Sequence, residues 1–431
     1  MNERLIKNFD DLATTENRKI ALEIIEAGLG AINTSKVISS LVSLTGDVLS
    51  VAGKKFDLTK YKNIKVVGFG KSSCEGALAI EKILGARITS GAVIGLQKAD
   101  CKYIETFAGT HPKPSEENIK AGEKIYEIIN GSKEDDLIIV LVSGGGSSLL
   151  CYPESEYKEG ARLYDAFLKS GKTITEINTV RKHLSLFKGG GLAKIAYPAT
   201  IVGLIFSDIP GNDFKNVASG ATYKDDTTIE DAQKIIIENN LGEFNLIETP
   251  KEDKYFENVF NFILVSDKTA VDAMAQKSRE FNLGVNILST ELYDEVDEAL
   301  GKIFKDKSDS SVVLAAGEPR IVVKKEAGKG GRSLHMALSV VAKKLINKED
   351  FMNSVFISFA SDGMDNSDAA GAIVDKNTIE KIEKLNLNVD DALERFDSYP
   401  VFEKSGDMIM TGPTGANVSD LMLLLTKKNN L

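Results

Sequence analysis

The 431-residue sequence is poor in proline, cysteine and histidine, with 9, 3 and 3 of each. Cys74, Cys101 and Cys151 form no C-x-x-C pair and are odd in number. That argues against a disulfide framework and a thiolate–zinc site, and fits a reducing compartment. His111, His183 and His335 lie far apart without metal spacing, so they read as structural or peripheral. No uninterrupted apolar run reaches the ~18 residues of a membrane span. No Lys/Arg run is long enough for a nucleic-acid arm, and the formal net charge is −10. Phosphate neutralisation needs a basic face, so nucleic acid is a poor partner. Met1-Asn2-Glu3-Arg4 leads into a charged amphipathic stretch rather than an apolar signal core. The expectation is a cytoplasmic protein. Any anionic substrate must be held by local cations working against the global field.

What the chain does have is glycine in clusters. The 36 glycines gather in a few loops, and most of these loops follow short apolar runs. Lys65–Phe69 is followed by Gly70-Lys71-Ser72-Ser73, then by a helical pattern from Glu75 to Leu84. Leu137–Val142 ends in Ser143-Gly144-Gly145-Gly146-Ser147-Ser148. Ala199–Phe206 ends in Ser207-Asp208-Ile209-Pro210-Gly211-Asn212-Asp213. Val312–Ala316 ends in Gly317-Glu318, and Val355–Phe359 in Ser361-Asp362-Gly363-Met364-Asp365. Continuous apolar runs mark strands covered on both faces, usually parallel, and strands alternating with helices give an α/β fold. Residues 20–49 carry helical spacing, with Gly28 and Gly30 as weak points. The polar stretch Glu243–Asn258 marks a domain boundary.

Ligands of open α/β sheets bind at the carboxyl ends of strands. Glycine there lets backbone approach a ligand, and turn N–H groups make anion nests. One such loop is as easily an ordinary turn; five together point to a site. Three known patterns fail. A P-loop needs Gly where Lys65 stands, a dinucleotide fingerprint needs Gly where Ser73 stands, and a nucleophile elbow needs Gly where Leu149 stands. Lys71 on a strand-to-helix turn can meet a phosphate as a point charge. Arg332, after Gly328-Lys329-Gly330-Gly331, offers a bidentate fork for carboxylate or phosphate. Asn178-Thr179-Val180-Arg181-Lys182-His183 with Lys188 concentrates cations. Asp208, Asp213, Glu318, Asp362 and Asp365 follow strands, where carboxylates bind Mg²⁺, accept a hydroxyl proton or cap helices.

These loops, together with Thr110-His111-Pro112-Lys113-Pro114, Ala218-Ser219-Gly220 and Thr411-Gly412-Pro413-Thr414-Gly415-Ala416-Asn417-Val418, occur in an order and spacing that resembles the glycerate 2-kinase family with its C-terminal MOFRL-type module. The resemblance implies two α/β domains, the first Rossmann-like with a mainly parallel sheet, and an active site in the cleft between them. It puts the domains at 1–250 and 251–431 and allows the tail to pack back on the first. It implies ATP, a divalent cation such as Mg²⁺, and transfer of a phosphoryl group to the 2-hydroxyl of D-glycerate, giving 2-phosphoglycerate. Lys71 and Arg332 match the catalytic cations, with Asp208 the candidate base and Asp362 its rival; both acids are also candidate metal ligands. Gly70, Ser72, Ser143, Gly144, Gly145, Gly146, Ser147, Ser148, Gly330 and Gly331 would face the nucleotide phosphates. Arg181, Lys188 and Asn178 would face the substrate. The chain departs from the family at Ser333-Leu334-His335, where Asn-Gln-Glu is usual, at Gly211-Asn212-Asp213 and at Asp365-Asn366. Hydroxypyruvate reduction with a nicotinamide cofactor, a kinase for another small hydroxy acid, a non-catalytic ligand sensor and assembly into a homo-oligomer stay open.

Overall fold

A computed structural model describes residues 4–170, 174–209, 213–305, 310–323, 327–346 and 353–427. Two compact units emerge: Thr34–Val265, and a second that joins Met1–Asn33 to Ser266–Leu431.

The Thr34–Val265 unit begins with a small antiparallel sheet of β1 (Val42–Thr45), β2 (Val48–Val51) and β3 (Lys54–Asp57). The helical spacing expected through Leu49 therefore stops at Leu41. Val42, Thr45, Val48 and Val51 are β-formers, and Gly46 at φ +58° makes the turn between the first two strands. The main sheet holds β4 (Asn63–Phe69), β5 (Ser90–Gly95), β6 (Glu105–Ala108), β7 (Asp136–Ser143), β8 (Thr200–Phe206) and β9 (Val259–Val265). Its order is β6-β5-β4-β7-β8-β9, with every pair parallel. Val67, Phe69, Val140 and Val142 pack with Ile125 and Leu192 of neighbouring helices to form the core. Every residue of β7 is buried, so its unbroken apolar run is what a central parallel strand requires. The order reverses between β4 and β7, and this is the switch point of a doubly wound sheet.

In the other unit β10 (Gly284–Leu292), β11 (Ser311–Gly317), β12 (Val355–Ala360), β13 (Gly371–Val374), β14 (Met408–Ile409) and β15 (Asp420–Thr426) form a sheet in the order β10-β11-β15-β12-β13-β14. Only β10 and β11 are parallel; β15 runs antiparallel to both β11 and β12. The continuous apolar character of β11 and β12 thus reports burial on both faces, not strand direction. The C-terminal tail is a central strand of its own unit's sheet, with Leu421, Leu423, Leu424 and Leu425 fully buried.

The division differs from the expected cut at 250. The N-terminal helix Glu16–Ile32 packs against the helix Asp267–Glu280 and against β12 and β15. Gly28, expected as a weak point, is the crossing: a Cβ there would lie 2.7 Å from Met274 Cγ. Arg18 fixes this attachment electrostatically. Its Nε and Nη2 donate to Asp375 at 2.8 and 3.0 Å, and Nη2 also donates to Asp407 at 2.7 Å and Thr378 at 2.6 Å.

Candidate active site

The two loops at the switch point are tied to each other. The Lys71 N–H donates to Gly144 O at 2.8 Å, and the Ser72 N–H donates to Ser143 Oγ at 3.0 Å. Gly70 sits at φ +124°, and a Cβ there would lie 2.2 Å from Ser143 Oγ, so only glycine lets the two loops close. Gly145 at φ +77° stands beside the side chains of Lys71 and His111. The broken dinucleotide fingerprint has a physical reason: Ser73 starts the following helix and its hydroxyl turns inward to Leu141 O. Among the described residues, the N–H groups of Gly145, Gly146 and Ser147 find no protein acceptor. They leave an anion-receptive turn next to Lys71.

A polar chain continues from this turn. Ser147 Oγ and Ser219 Oγ are 2.8 Å apart, Ser219 Oγ donates to Asn178 Oδ1 at 3.4 Å, and Arg181 Nη1 donates to the same oxygen at 3.1 Å. Loss of hydration pulls the half-buried Arg181 below the usual arginine range. The structure therefore brings Lys71, Ser147, Asn178 and Arg181 into one neighbourhood. It adds Ser219 and His111, neither of which the sequence reading had given a role. The signal for both lay in the Thr110–Pro114 and Ala218–Gly220 motifs.

Lys188 is a correction. Its ammonium is buried and spends its protons on Leu150 O, Ser185 Oγ and the carboxylate of Glu156. Three donors with three internal acceptors leave nothing for a substrate. Lys182 is likewise taken by Asp225. His183 is structural, with Nδ1 at Thr179 O and Nε2 at Glu248. Asp208 is half-buried just past β8. The neighbouring Pro210, Gly211 and Asn212 lie outside the described residues.

The Gly-Gly-Arg loop belongs to the other unit. Helix Arg332–Ala342 starts there, and three N–H groups at its N-terminus are already taken within the chain. Gly331, Ser333 and Leu334 all donate to the carboxylate of Asp365, at 3.1, 3.1 and 2.7 Å. Gly331, expected to face a phosphate, instead has its N–H taken by the acid that caps its own helix. Arg332 remains usable. Its Nε donates to Asp420 at 3.0 Å and its Nη1 to Glu318 at 3.1 Å, while 39 % of the side chain stays exposed. Burial, Asp365 and Glu318 push Asp420 up to about 7 despite the arginine, and burial pushes Asp365 up to about 6. Arg332 lines a cavity of about 540 Å³ with Tyr293, Glu318, Arg320, Val322, Val323, His335 and Phe396. The Thr411–Val418 loop is bound to the Asp362 loop by Thr414 Oγ1 to Ser361 O (2.6 Å) and by the Thr414 N–H to Asp362 O (3.1 Å). Asp362 also accepts the Met364 N–H.

Each unit thus carries a cation at a glycine-rich turn, Lys71 in one and Arg332 in the other, and cations of this kind suit charge stabilisation of an anion. Residues 20–246 match the family described as "Domain of unknown function (DUF4147)", and residues 311–420 match the one described as "MOFRL family". A glycerate 2-kinase of Pyrococcus horikoshii is 33 % identical over 95 % of this chain and 97 % of its own. The chain belongs to the glycerate 2-kinase family. It is an enzyme, and a kinase. The crystal structure of a glycerate kinase from Thermotoga maritima superposes with a TM-score of 0.81 at 30 % identity, covering 95 % of this chain and 99 % of that one. A family member from Agrobacterium vitis, provisionally labelled a hydroxypyruvate reductase, is 34 % identical over 84 % of this chain and 86 % of its own.

A divalent cation has no cage of its own here. Among the described residues no three His, Cys, Asp or Glu side chains come together to hold one, and Asp208 and Asp362 belong to different units. Among the described residues no helix is long and apolar enough to cross a membrane.

Proposed function

We propose that this kinase transfers the γ-phosphoryl group of ATP to the 2-hydroxyl of D-glycerate. The observation that carries the reading is the near full-length match to a glycerate 2-kinase, with its loops at the strand ends. Phosphoryl transfer needs positioning and charge neutralisation more than covalent chemistry. Lys71 supplies a cation beside the open N–H groups of Gly145, Gly146 and Ser147, which together suit phosphate oxygens. Arg332 supplies the second, with its planar fork held in place by Asp420 and Glu318. Arg181, set by Asn178, is the candidate for the glycerate carboxylate. Asp208 is the candidate acceptor of the hydroxyl proton, and Asp362 its rival. The nucleotide would bring its divalent ion bound to its phosphates, as Mg²⁺ commonly travels.

The test is to incubate the protein with Mg-ATP and a panel of small hydroxy acids, follow ADP release, and identify the product by phosphorus NMR. D-glycerate should stimulate release and yield 2-phosphoglycerate. A different acid giving the fastest turnover would change the substrate, and no stimulation by any acid would sink the kinase chemistry. The label on the Agrobacterium vitis relative motivates one control, hydroxypyruvate with NAD(P)H and no ATP. No oxidation of NAD(P)H is expected there, because Ser73 occupies the place of the third fingerprint glycine.

A further inference from the structure

The cavity beside Arg332 is built of the wrong material for a three-carbon acid. It opens past the carboxyl ends of the parallel pair β10 and β11. At about 540 Å³ it falls within the roughly 300–1,000 Å³ of sites for drug-sized ligands. Much of its wall is apolar. Val322 and Val323 are 56 % and 51 % exposed, although they line a concave surface. Glycerate is polar throughout and would leave them uncovered. Opposing chemistry is available in the rings: His335 stacks on Phe396 with centroids 5.4 Å apart and planes 19° from parallel. The His335 ring is held by packing, since its buried Nδ1 has no partner among the described residues, and burial lowers its pKa so that it is neutral near pH 7. Phe396 is kept at φ +51°, a conformation that a bulky residue adopts only when its surroundings impose it. Charge in the lining comes in both signs, with Arg320 and Arg332 against Glu295 and Glu318. At the helix N-terminus beside Arg332, Asp365 already takes the N–H groups of Gly331, Ser333 and Leu334. A ligand here must gain affinity from a flat apolar body and offer one anionic end.

We propose that this cavity is the purine-base pocket for the nucleotide, with the base against Ile321, Val322, Val323 and the His335–Phe396 pair, and the phosphate chain leaving along Arg332. The proposal rests on the kinase reading, and it assigns the cavity to the phosphoryl donor rather than to the acceptor.

The test titrates the full-length chain calorimetrically with ADP, adenosine and inorganic tripolyphosphate, as wild type, Val323→Asp and His335→Ala. Val323 is half-exposed, so the aspartate does not threaten the core. Adenosine should compete with ADP. Val323→Asp should weaken ADP at least tenfold and leave tripolyphosphate binding unchanged, with His335→Ala a smaller change in the same sense. In turnover the KM for ATP should rise while the KM for D-glycerate stays put. Unchanged ADP affinity in both variants overturns the proposal, and so does a shift in the D-glycerate KM in place of the ATP one. Absence of turnover in the wild type would count against the kinase reading alone, because the titrations decide the pocket without it.

Discussion

Arg18 and Arg332 are both arginines bound by two carboxylates within the same unit, yet they do opposite jobs. Arg18 is 1 % exposed, and its fork is consumed by Asp375, Asp407, Thr378 and Leu12 O. Arg332 shares itself between Asp420 and Glu318, stays 39 % exposed and lines a cavity. Two carboxylates around a guanidinium therefore say nothing about function. What separates the cases is whether donor capacity and open space remain after the internal bonds are made. The same criterion removes Lys188, whose three donors are used up inside the fold.

The largest effect should follow from Arg332→Ala. Removing a cation that stabilises a phosphoryl transition state costs on the order of 10³ in kcat, and circular dichroism should show an unchanged fold. Lys71→Ala should behave alike. Near-normal turnover in either variant removes that residue from the chemistry. Arg18→Ala should do the reverse. Breaking a buried ion pair costs roughly 3–5 kcal/mol, read as a lower urea midpoint, with kcat per folded molecule unchanged well below the transition. If Arg18→Ala lost activity without losing stability, the contrast between the two arginines would collapse.

Lys188→Met comes next. Glu156 is buried, and burial already raises its pKa, so it can escape an unpaired charge by taking a proton. The loss should be nearer the lower end, about 3 kcal/mol. Because Lys188 makes only internal bonds, the KM for D-glycerate should not move. A large rise in that KM at unchanged stability would restore Lys188 to the substrate site.

Much of the Thr34–Val265 unit was legible because parallel strands buried on both faces leave unbroken apolar runs, each closed by its own loop. That the loops at Gly70 and Ser143 meet was not legible, because a switch point is a property of strand order. The other unit was harder to read. β11 and β12 carry the same apolar signature, but their neighbour β15 comes from the far end of the chain and runs antiparallel. Burial leaves a trace in sequence, whereas strand direction does not. The attachment of the first 33 residues was hidden for a similar reason, since Arg18 reaches partners more than 350 positions away. The glycine loop before Arg332 looked like a phosphate nest because sequence cannot show that Asp365 had already filled it.

The smallest effect concerns the acid that holds Arg332. Asp420 is fully buried at the start of β15, faced by Arg332, Glu318 and Asp365, and is pushed up to about 7. An unfolded aspartate ionises near 3.9. Between these values the folded chain binds a proton that the unfolded chain has released. The wild type therefore loses stability as pH rises from about 4 to about 7, and the loss levels off above that. Asp420→Asn cannot ionise and escapes this loss. Relative to wild type, the variant should gain stability across that window, a shift of a few degrees in Tm measured at pH 5, 6, 7 and 8. A difference that stays flat from pH 5 to pH 8 would mean that Arg332 holds Asp420 ionised throughout. The cluster would then be a permanent ion pair like that of Arg18, and open space alone would distinguish the two.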